Sequence, residues 1–199
     1  MKLDKDVTII DDFIDEEYQE DIKNILIGNK DFAWEDQEIT FDWYFISDVT
    51  DAYAERQQKR WAFTHEYAGL DWGEDEDDEL NNLFIPMLSE VCKKMDFDNL
   101  KILQGRSFLQ FPIKERGKPD TPHIDIYDRS HIVALYYVCD SDGDTIIYNE
   151  RRKTPDKVYT VKKRVTPKQG RIVIFDGTLY HTAEQPLNNT RCIVNYNIE

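Results

Sequence analysis

The chain of 199 residues has a net charge of −15 at neutral pH, and 40% of its residues are apolar. This length and apolar content fit one folded domain rather than a disordered chain, while so acidic a surface repels phosphate backbones and argues against a nucleic-acid partner. No apolar run approaches the roughly 20 residues of a membrane span, and the first residues lack the apolar stretch of a signal peptide, so we expect a cytoplasmic protein without membrane contact.

The N-terminal part of the chain combines strand and helix signals. Residues 7–10, VTII, predict a short strand, and a helix is expected to follow with Asp15 as its N-cap. Glu16 and Glu17 fall in its first turn, where acidic side chains favour the helix dipole, and Gly28 marks its end. The apolar stripe of this helix consists of Tyr18, Ile22, Ile25 and Leu26.

A strand-rich stretch and two further helices are expected before residue 100. Residues 32–46 have the composition of β-strands, and residues 51–63 predict a short helix. A longer amphipathic helix is expected over about 79–95, where apolar residues keep a helical period. Pro86 falls inside it and predicts a kink or a later start. The acidic run at 73–80 is interpreted as a solvated helix start rather than a calcium site.

From about residue 100 the pattern changes to short strand-like runs. Turn signals such as DSDGD at 140–144 separate them, which is typical of a sandwich, jelly roll or barrel. The runs are ILQGRSFLQF, HIDIY, HIVALYYVC, DTIIYN, KVYTV, KRVTP, GRIVIF, YHTA and RCIVNYNI. We therefore expect one domain over 1–199, mainly β with α. Its double-stranded β-helix (jelly-roll) core would span 100–199, flanked by a helical, mixed N-terminal support at 1–99.

The three cysteines give no sign of a disulfide framework. Cys92, Cys139 and Cys192 are scattered, odd in number and without CxxC spacing. This argues against a disulfide scaffold and against a cysteine-based zinc site. Free thiols in a reducing compartment are the expectation.

The run PDTPHIDIYD contains the first candidate for a metal site. If HIDIY is a strand, His123 and Asp125 point to the same face. Chance alone produces such a pair in a chain this rich in aspartate, so the pair needs a third ligand. His181 follows the apolar run GRIVIF and is placed to enter the same interior from the opposite sheet. Two histidines and one carboxylate form the facial set of non-haem Fe(II) oxygenases, whereas zinc favours three histidines or cysteines.

Four segments between residues 100 and 199 add further motifs. HID is an HxD motif, and HIVALYYVCDSDGDTIIY is a YY-containing strand followed by a glycine turn. VTPKQGRIVIFDGTLYHTAEQP contains PxxGxxxxF and a distal histidine, and NNTRCIVNYNIE places an arginine ten positions after that histidine. Together they resemble the Fe(II)/2-oxoglutarate-dependent oxygenases, and within them the prolyl 4-hydroxylase-like branch, over about half of the chain.

The resemblance implies a role for each of five residues. His123, Asp125 and His181 would bind Fe(II). Arg191 would bind the distal carboxylate of 2-oxoglutarate, and its planar fork of donors suits a carboxylate in a water-poor pocket. Without such a ligand, an arginine at the start of the apolar run RCIVNYNI is explained only as an edge residue that reaches solvent. Tyr137 would help to hold the same carboxylate.

The phase of each strand decides which other polar residues join the site. By alternation Tyr137 faces the interior, or Tyr136 does and Tyr137 packs outward. Asn195 and Asn197 share the face of Arg191 and are candidate pocket residues. The segment RSFLQF has two phases: either Arg106, Phe108 and Gln110 face inward, or Ser107, Leu109 and Phe111 do. Phe111 stands where members of the family often carry a tyrosine, so one familiar cosubstrate contact is missing.

The resemblance implies a dioxygenase that uses Fe(II) and 2-oxoglutarate. It would hydroxylate a peptidyl (prolyl-type) or small-molecule substrate and release succinate and CO2. Asp125 argues against the halogenases of this fold, which carry a small residue there, and Asn197 stands where the nucleic-acid demethylases carry a second arginine. The alternatives are a non-catalytic jelly-roll domain and a cupin-like metal-binding domain that does not use 2-oxoglutarate.

Overall fold

The structure, a computed structural model, describes residues 6–28, 33–34, 37–38, 41–47, 49, 60–69, 78–97, 100–115, 119–152 and 158–199. The first elements in chain order are β1 (Val7–Ile10), α1 (Glu16–Ile27), β2 (Ala33–Trp34), β3 (Gln37–Glu38), β4 (Tyr44–Ile46), β5 (Ala62–Gly69) and α2 (Asp78–Met95). They are followed by β6 (Ile102–Gln110), β7 (Ile132–Tyr137), β8 (Thr145–Arg151), β9 (Val161–Val165), β10 (Ile172–Asp176), β11 (Leu179–Ala183) and β12 (Arg191–Ile198).

The two helices form where the sequence predicts them. The Asp15 side chain caps α1 by accepting a hydrogen bond from the Tyr18 backbone N–H at 3.0 Å, and Gly28 ends the helix by donating to the Asn24 carbonyl. The predicted apolar stripe of α1 is buried. Pro86 lies inside α2 rather than at its start. No helix in the part of the chain that the structure describes has both the length and the apolar character needed to cross a bilayer.

Two antiparallel sheets build the core. The major sheet has seven strands in the order β1-β10-β7-β12-β6-β5-β4, and the minor sheet has three in the order β11-β8-β9. β2 and β3 form a separate hairpin. The predicted fold class, a mainly β double-stranded β-helix with N-terminal helices, is confirmed. The first 99 residues contribute β1, β4 and β5 to the major sheet in addition to the helices.

The major sheet is covered on both faces. Leu135 and Tyr137 of β7 pack between the two sheets, while Ala134 and Tyr136 pack toward the helices. This settles the phase of β7: Tyr137, not Tyr136, faces the interior. All six residues of β7 are buried, which explains why this strand reads as a continuous apolar run rather than an alternating one.

Several predicted elements differ in the structure. HIDIY is not a strand: within it only His123 forms an isolated bridge, with His181. KVYTV and KRVTP give one strand, β9, and the pairing of β8 with β9 shifts register between Ile147 and Tyr148. The helix predicted over 51–63 lies mostly outside the described residues, and its last two residues belong to β5. The three cysteines are free, as expected.

Candidate active site

A cavity of about 630 Å³ opens between the two sheets. Its wall is built by inward side chains of β6 and β12, by β8 and β11 of the minor sheet, and by the loop that follows residue 119. Apolar side chains of Phe108, Leu135 and Ile193 alternate there with polar ones. A concave, partly apolar pocket with a few convergent polar groups is the usual form of a ligand site.

The structure brings His123, Asp125 and His181 together on this wall. One ligand atom from each lies within 4.8 Å of the others. The Asp125 Oδ1 atom lies 3.5 Å from His123 Nε2 and 3.7 Å from His181 Nε2. Two atoms that each bind one ion at about 2 Å lie roughly 3 to 4 Å apart. The three side chains therefore have the spacing of a metal-binding set.

The backbone fixes how the two histidine rings face each other. The His123 N–H donates to the His181 carbonyl at 2.9 Å, and the His181 N–H donates to the His123 carbonyl at 3.0 Å. Each ring Nδ1 lies 3.3 Å from a backbone carbonyl, of Thr121 and Leu179 respectively. A carbonyl at Nδ1 favours the tautomer that leaves Nε2 as the free ligand atom. Both Nε2 atoms point toward Asp125.

The Asp125 carboxylate is held at both oxygens. Arg106 Nη2 donates to Oδ1 at 2.6 Å, and Asn195 Nδ2 donates to Oδ2 at 3.2 Å. Burial alone would raise the pKa of this carboxyl, but the Arg106 guanidinium and the two histidines hold it well below its usual range. Asp125, whose side chain is 1% exposed, is therefore ionised at neutral pH. Arg106 and Asn195 lie opposite each other on β6 and β12.

Arg191 is buried at 3% exposure, and its hydrogen-bond partners among the described residues are all neutral, although Asp120 attracts it electrostatically. Its Nε donates to the Gly143 carbonyl at 3.0 Å, its Nη1 to Gln110 Oε1 at 3.0 Å, and its Nη2 to Thr145 Oγ1 at 2.9 Å. Burial lowers the pKa of its guanidinium. A buried cation without a carboxylate partner is costly, so this end of the cavity favours an anionic ligand.

Tyr137 lies one step behind the cavity wall. Its O–H donates to Thr145 Oγ1 at 2.7 Å, and Thr145, not Tyr137, is among the residues that line the cavity. Burial raises the pKa of Tyr137 to about 12, so the phenol is neutral. Thr145 was not among the site residues predicted from the sequence. Its position directly after the glycine turn was the available signal.

The phase of β6 is the first of the two predicted alternatives. Arg106, Phe108 and Gln110 line the cavity, and Phe111 is 45% exposed outside it. Asn195 also lines the cavity, whereas Asn197 is buried beside it and donates to Gln104 at 3.1 Å. Gln110 lies directly opposite Arg191 in the ladder. This pairing exists because β6 and β12 are neighbours in the sheet.

Three cross-strand residue pairs of β6 and β12 follow one another along the cavity wall. Arg191 faces Gln110, Ile193 faces Phe108, and Asn195 faces Arg106. Because a strand advances about 3.4 Å per residue, the first and third pairs are separated by roughly 13 Å. An apolar pair therefore lies between the buried cation at one end and the partners of Asp125 at the other.

No protein-family model matches the chain, and no curated protein matches it in sequence. Its structure is similar to the viral collagen prolyl hydroxylase vCPH from Paramecium Bursaria Chlorella virus-1, with TM-score 0.55 and 14% identity over 98% of this chain and 96% of that one. It is similar to the epimerase SnoN, solved with Fe3+, alpha ketoglutarate and nogalamycin RO (TM-score 0.61, 12% identity, 97% and 78% covered). A 2OG-Fe(II) oxygenase family oxidoreductase from Burkholderia pseudomallei also matches (TM-score 0.65, 8% identity, 98% and 85% covered).

These structural neighbours are Fe(II)/2-oxoglutarate oxygenases, and they include prolyl hydroxylases. The chain therefore has the double-stranded β-helix fold of that group, as the sequence motifs predict. At such low sequence identity the likeness defines the fold, and the function has to be argued from the residues of the site.

Proposed function

We propose that this protein is an Fe(II)- and 2-oxoglutarate-dependent dioxygenase that hydroxylates a peptidyl (prolyl-type) or small-molecule substrate. One observation carries the proposal: the cavity wall that holds His123, Asp125 and His181 also holds Arg191, which is buried and hydrogen-bonded only to neutral groups among the described residues. A metal-binding set alone would fit many proteins. The combination with a separate site for a carboxylate fits a cosubstrate that is an acid.

The donor set suits Fe(II). Two imidazole nitrogens and one carboxylate oxygen on one side of an ion leave three positions open, which is the arrangement of non-haem Fe(II) oxygenases. His123, Asp125 and His181 would hold the ion, and Asp125 supplies its negative charge without having to lose a proton first. The carbonyls near each Nδ1 and the partners of Asp125 keep the three ligand atoms oriented.

The other end of the cavity suits 2-oxoglutarate. Arg191 would bind the distal carboxylate, with Thr145 and Gln110 fixing the plane of the guanidinium. The apolar pair Ile193 and Phe108 would contact the two methylene groups. The keto acid would then point toward the three metal ligands. Tyr137 would act on this end through Thr145 rather than by direct contact.

When bound, the iron and the cosubstrate would supply the oxidising chemistry with O2 as the oxidant: one oxygen atom would enter the substrate as a hydroxyl group, and the other would enter succinate as CO2 leaves 2-oxoglutarate. The protein supplies position, charge and a partly apolar cavity. Its two sheets hold Asp125 ionised and Arg191 desolvated before any ligand binds. Such preorganised groups cost no rearrangement when the reaction occurs.

Both substrate classes in the proposal have support among the structural neighbours. vCPH is a collagen prolyl hydroxylase, and SnoN was solved with nogalamycin RO. The proposal also includes a single domain over 1–199, a cytoplasmic location and no nucleic-acid or membrane partner. The net charge of −15 supports the absence of nucleic acid.

The test is to add Fe(II) and then 2-oxoglutarate to the full chain without oxygen and to record the visible absorption of the chelate. We expect a band in the wild type, no band in His181→Ala, and a band in Arg191→Ala only at far higher cosubstrate concentration. Arg129→Ala, an arginine outside the cavity, is the matched control. No band in the folded wild type would reject the proposal, and unchanged cosubstrate demand in Arg191→Ala would favour the cupin-like alternative.

A further inference from the structure

The Arg191 end of the cavity has more hydrogen-bond donors than its own hydrogen bonds use. A guanidinium has five N–H donors, and Arg191 uses three of them on described residues, so two remain. The Thr145 hydroxyl accepts one hydrogen bond from Tyr137 and one from Arg191. Both of its lone pairs are then occupied, so its own hydrogen is left to donate.

Gln110 adds an amide group whose orientation is fixed. Its Oε1 atom accepts from Arg191 Nη1 at 3.0 Å, so the oxygen of the amide faces the arginine and the nitrogen faces away from it. The described residues offer Nε2 no acceptor, yet Nε2 is not one of the buried polar atoms that lack a partner. Because Gln110 lines the cavity and is only 3% exposed, this donor is reached from the cavity.

The side chains at this end therefore offer a ligand donors rather than acceptors. Asp120 attracts Arg191 electrostatically. The two oxygens of its carboxylate, however, accept their hydrogen bonds from Arg60 at 3.2 Å and from Gln185 at 3.1 Å. An ionised carboxylate suits such a site because it has two acceptor oxygens and no donor. A carboxamide of the same shape would place an N–H group against other N–H donors.

We propose that Gln110 binds the distal carboxylate of 2-oxoglutarate directly and selects for it. Its Oε1 atom positions Arg191, and its Nε2 atom donates to the carboxylate, so one side chain serves both the arginine and the ligand. The assignment rests on the proposed function, because it takes the anion at this end to be the cosubstrate. A donor that is oriented before the ligand binds loses little freedom on binding, which favours a carboxylate over a neutral group of similar size.

The first experiment observes the Gln110 amide by NMR. It uses the full chain, isotope-labelled at the glutamine side-chain nitrogens and loaded with Zn(II), which is diamagnetic and redox-inactive. The signal that is missing in Gln110→Met belongs to Gln110. We expect saturating 2-oxoglutarate to move one proton of this amide downfield, as a hydrogen bond to a charged oxygen forms, and 2-oxopentanoate to leave both protons in place. The same response to both keto acids, or none to 2-oxoglutarate, would overturn the proposal.

Affinities measure how much this contact contributes. Gln110→Met keeps the length of the side chain and removes its hydrogen bonds, so it should weaken 2-oxoglutarate about tenfold, the usual loss for one hydrogen bond to a charged group. The affinities for 2-oxopentanoate and for Zn(II) should not change, because neither ligand needs the donor of Gln110. Gln104→Met, on the same strand but outside the cavity, is the matched control.

A double variant separates direct contact from support of Arg191. If Gln110 only orients the arginine, Gln110→Met has no effect once Arg191→Met has removed the guanidinium. If Gln110 contacts the carboxylate, Gln110→Met should still weaken 2-oxoglutarate about tenfold in that background. Equal affinities of Arg191→Met and the double variant would overturn the proposal. Urea unfolding of each variant shows that the fold is retained.

The outcomes also separate this inference from the proposed function. If the wild type binds Zn(II) but binds 2-oxoglutarate no more tightly than 2-oxopentanoate, this end of the cavity does not serve that cosubstrate, and both proposals fail. If the wild type prefers 2-oxoglutarate and the preference depends on Arg191, the proposed function is supported. In that case an unresponsive Gln110 amide, together with unchanged affinity in Gln110→Met, rejects the assignment of Gln110 alone.

Discussion

The two arginines of the cavity wall are held in opposite ways. Arg191 is almost fully buried and donates only to neutral oxygens, whereas Arg106 is partly exposed and donates to the carboxylate of Asp125. Each arginine lies on a strand of the major sheet and faces the same cavity. They lie at opposite ends of the cavity, and they differ in the charge of their hydrogen-bond partners.

Arg191 is therefore suited to bind an anionic ligand, whereas Arg106 stabilises the negative charge of Asp125. Neutral partners fix the orientation of Arg191 without using its charge, so the charge is left for a ligand. Arg106, by contrast, is paired with the ionised Asp125, and part of its positive charge keeps that carboxylate deprotonated and oriented. Substitutions at the two ends should therefore change different measured quantities.

The largest effect is expected from Asp125→Ala, which removes a metal ligand and the partner of Arg106. In the wild type, metal at about 100 times its Kd should raise the free energy of unfolding by roughly 2.7 kcal/mol, and the variant should gain nothing. Urea unfolding with and without Mn(II) measures this. Asp128→Ala, with a side chain 66% exposed, is the control, and metal stabilisation retained in Asp125→Ala would contradict the metal assignment.

The second effect is expected at the opposite end. Arg191→Gln should weaken 2-oxoglutarate about a hundredfold, as expected when a buried charge pair loses one member, and leave metal affinity nearly unchanged. Arg191→Lys should lie between, because it keeps the charge and loses the fork. Titration of metal-loaded protein gives the affinities. 2-Oxopentanoate, which lacks the distal carboxylate, should bind with equal affinity to the wild type and to Arg191→Gln. If the wild type bound 2-oxopentanoate more tightly than the variant does, Arg191 would not be the anchor of the distal carboxylate.

A smaller effect is expected from Asn195→Ala. The change removes the hydrogen bond to Asp125 Oδ2 and should lower metal affinity about tenfold, the usual cost of a lost partner of a metal ligand. The preference for 2-oxoglutarate over 2-oxopentanoate should not change. Asn197→Ala, on the same strand face but without contact to Asp125, is the comparison. Equal metal affinities in the two variants would show that Asn195 does not orient the carboxylate.

The smallest effect is expected from Tyr137→Phe. Its hydroxyl reaches the Arg191 end only through Thr145, so the affinity for 2-oxoglutarate should fall by about threefold, the lower range for one neutral hydrogen bond. Thr145→Val, which removes the contact with Arg191 itself, should cost more. A loss in Tyr137→Phe as large as in Arg191→Gln would mean that the phenol contacts the ligand directly.

The sequence predicted the metal ligands and Arg191 at the two ends of the cavity, but not the hydrogen-bond partners that orient them. Spacing and the motif likeness singled out His123, Asp125, His181 and Arg191, whereas strand alternation left either Tyr137 or Tyr136 as the inward residue of β7. The partners of Asp125 and Arg191 depend on which strands are neighbours and in what register. Arg106 lies opposite Asn195 and Gln110 opposite Arg191 because β6 pairs with β12, and these strands are about 80 residues apart in the chain.

The fold was predictable where one local rule was sufficient. Capping and periodicity gave α1, and the apolar runs gave most strands after residue 100. The strand expected at HIDIY was wrong, because alternation of polar and apolar residues does not show whether a partner strand lies alongside, and only His123 has a bridge partner. The contribution of β1, β4 and β5 to the major sheet was not predicted either: β1 pairs with the distant β10, β5 pairs with β6 across the intervening α2, and β4 joins the sheet through β5.

The isolated bridge between His123 and His181 ties two segments that otherwise belong to different parts of the chain. Both of its hydrogen bonds come from the residues proposed to bind one ion, so separating the loop from β11 would also separate the two rings. An ion held by both rings binds only the closed form, and it raises the free energy of local opening by RT ln(1 + [metal]/Kd). The exchange of these two amide hydrogens with solvent should therefore slow as iron occupancy rises, because both quantities report the same equilibrium of local opening.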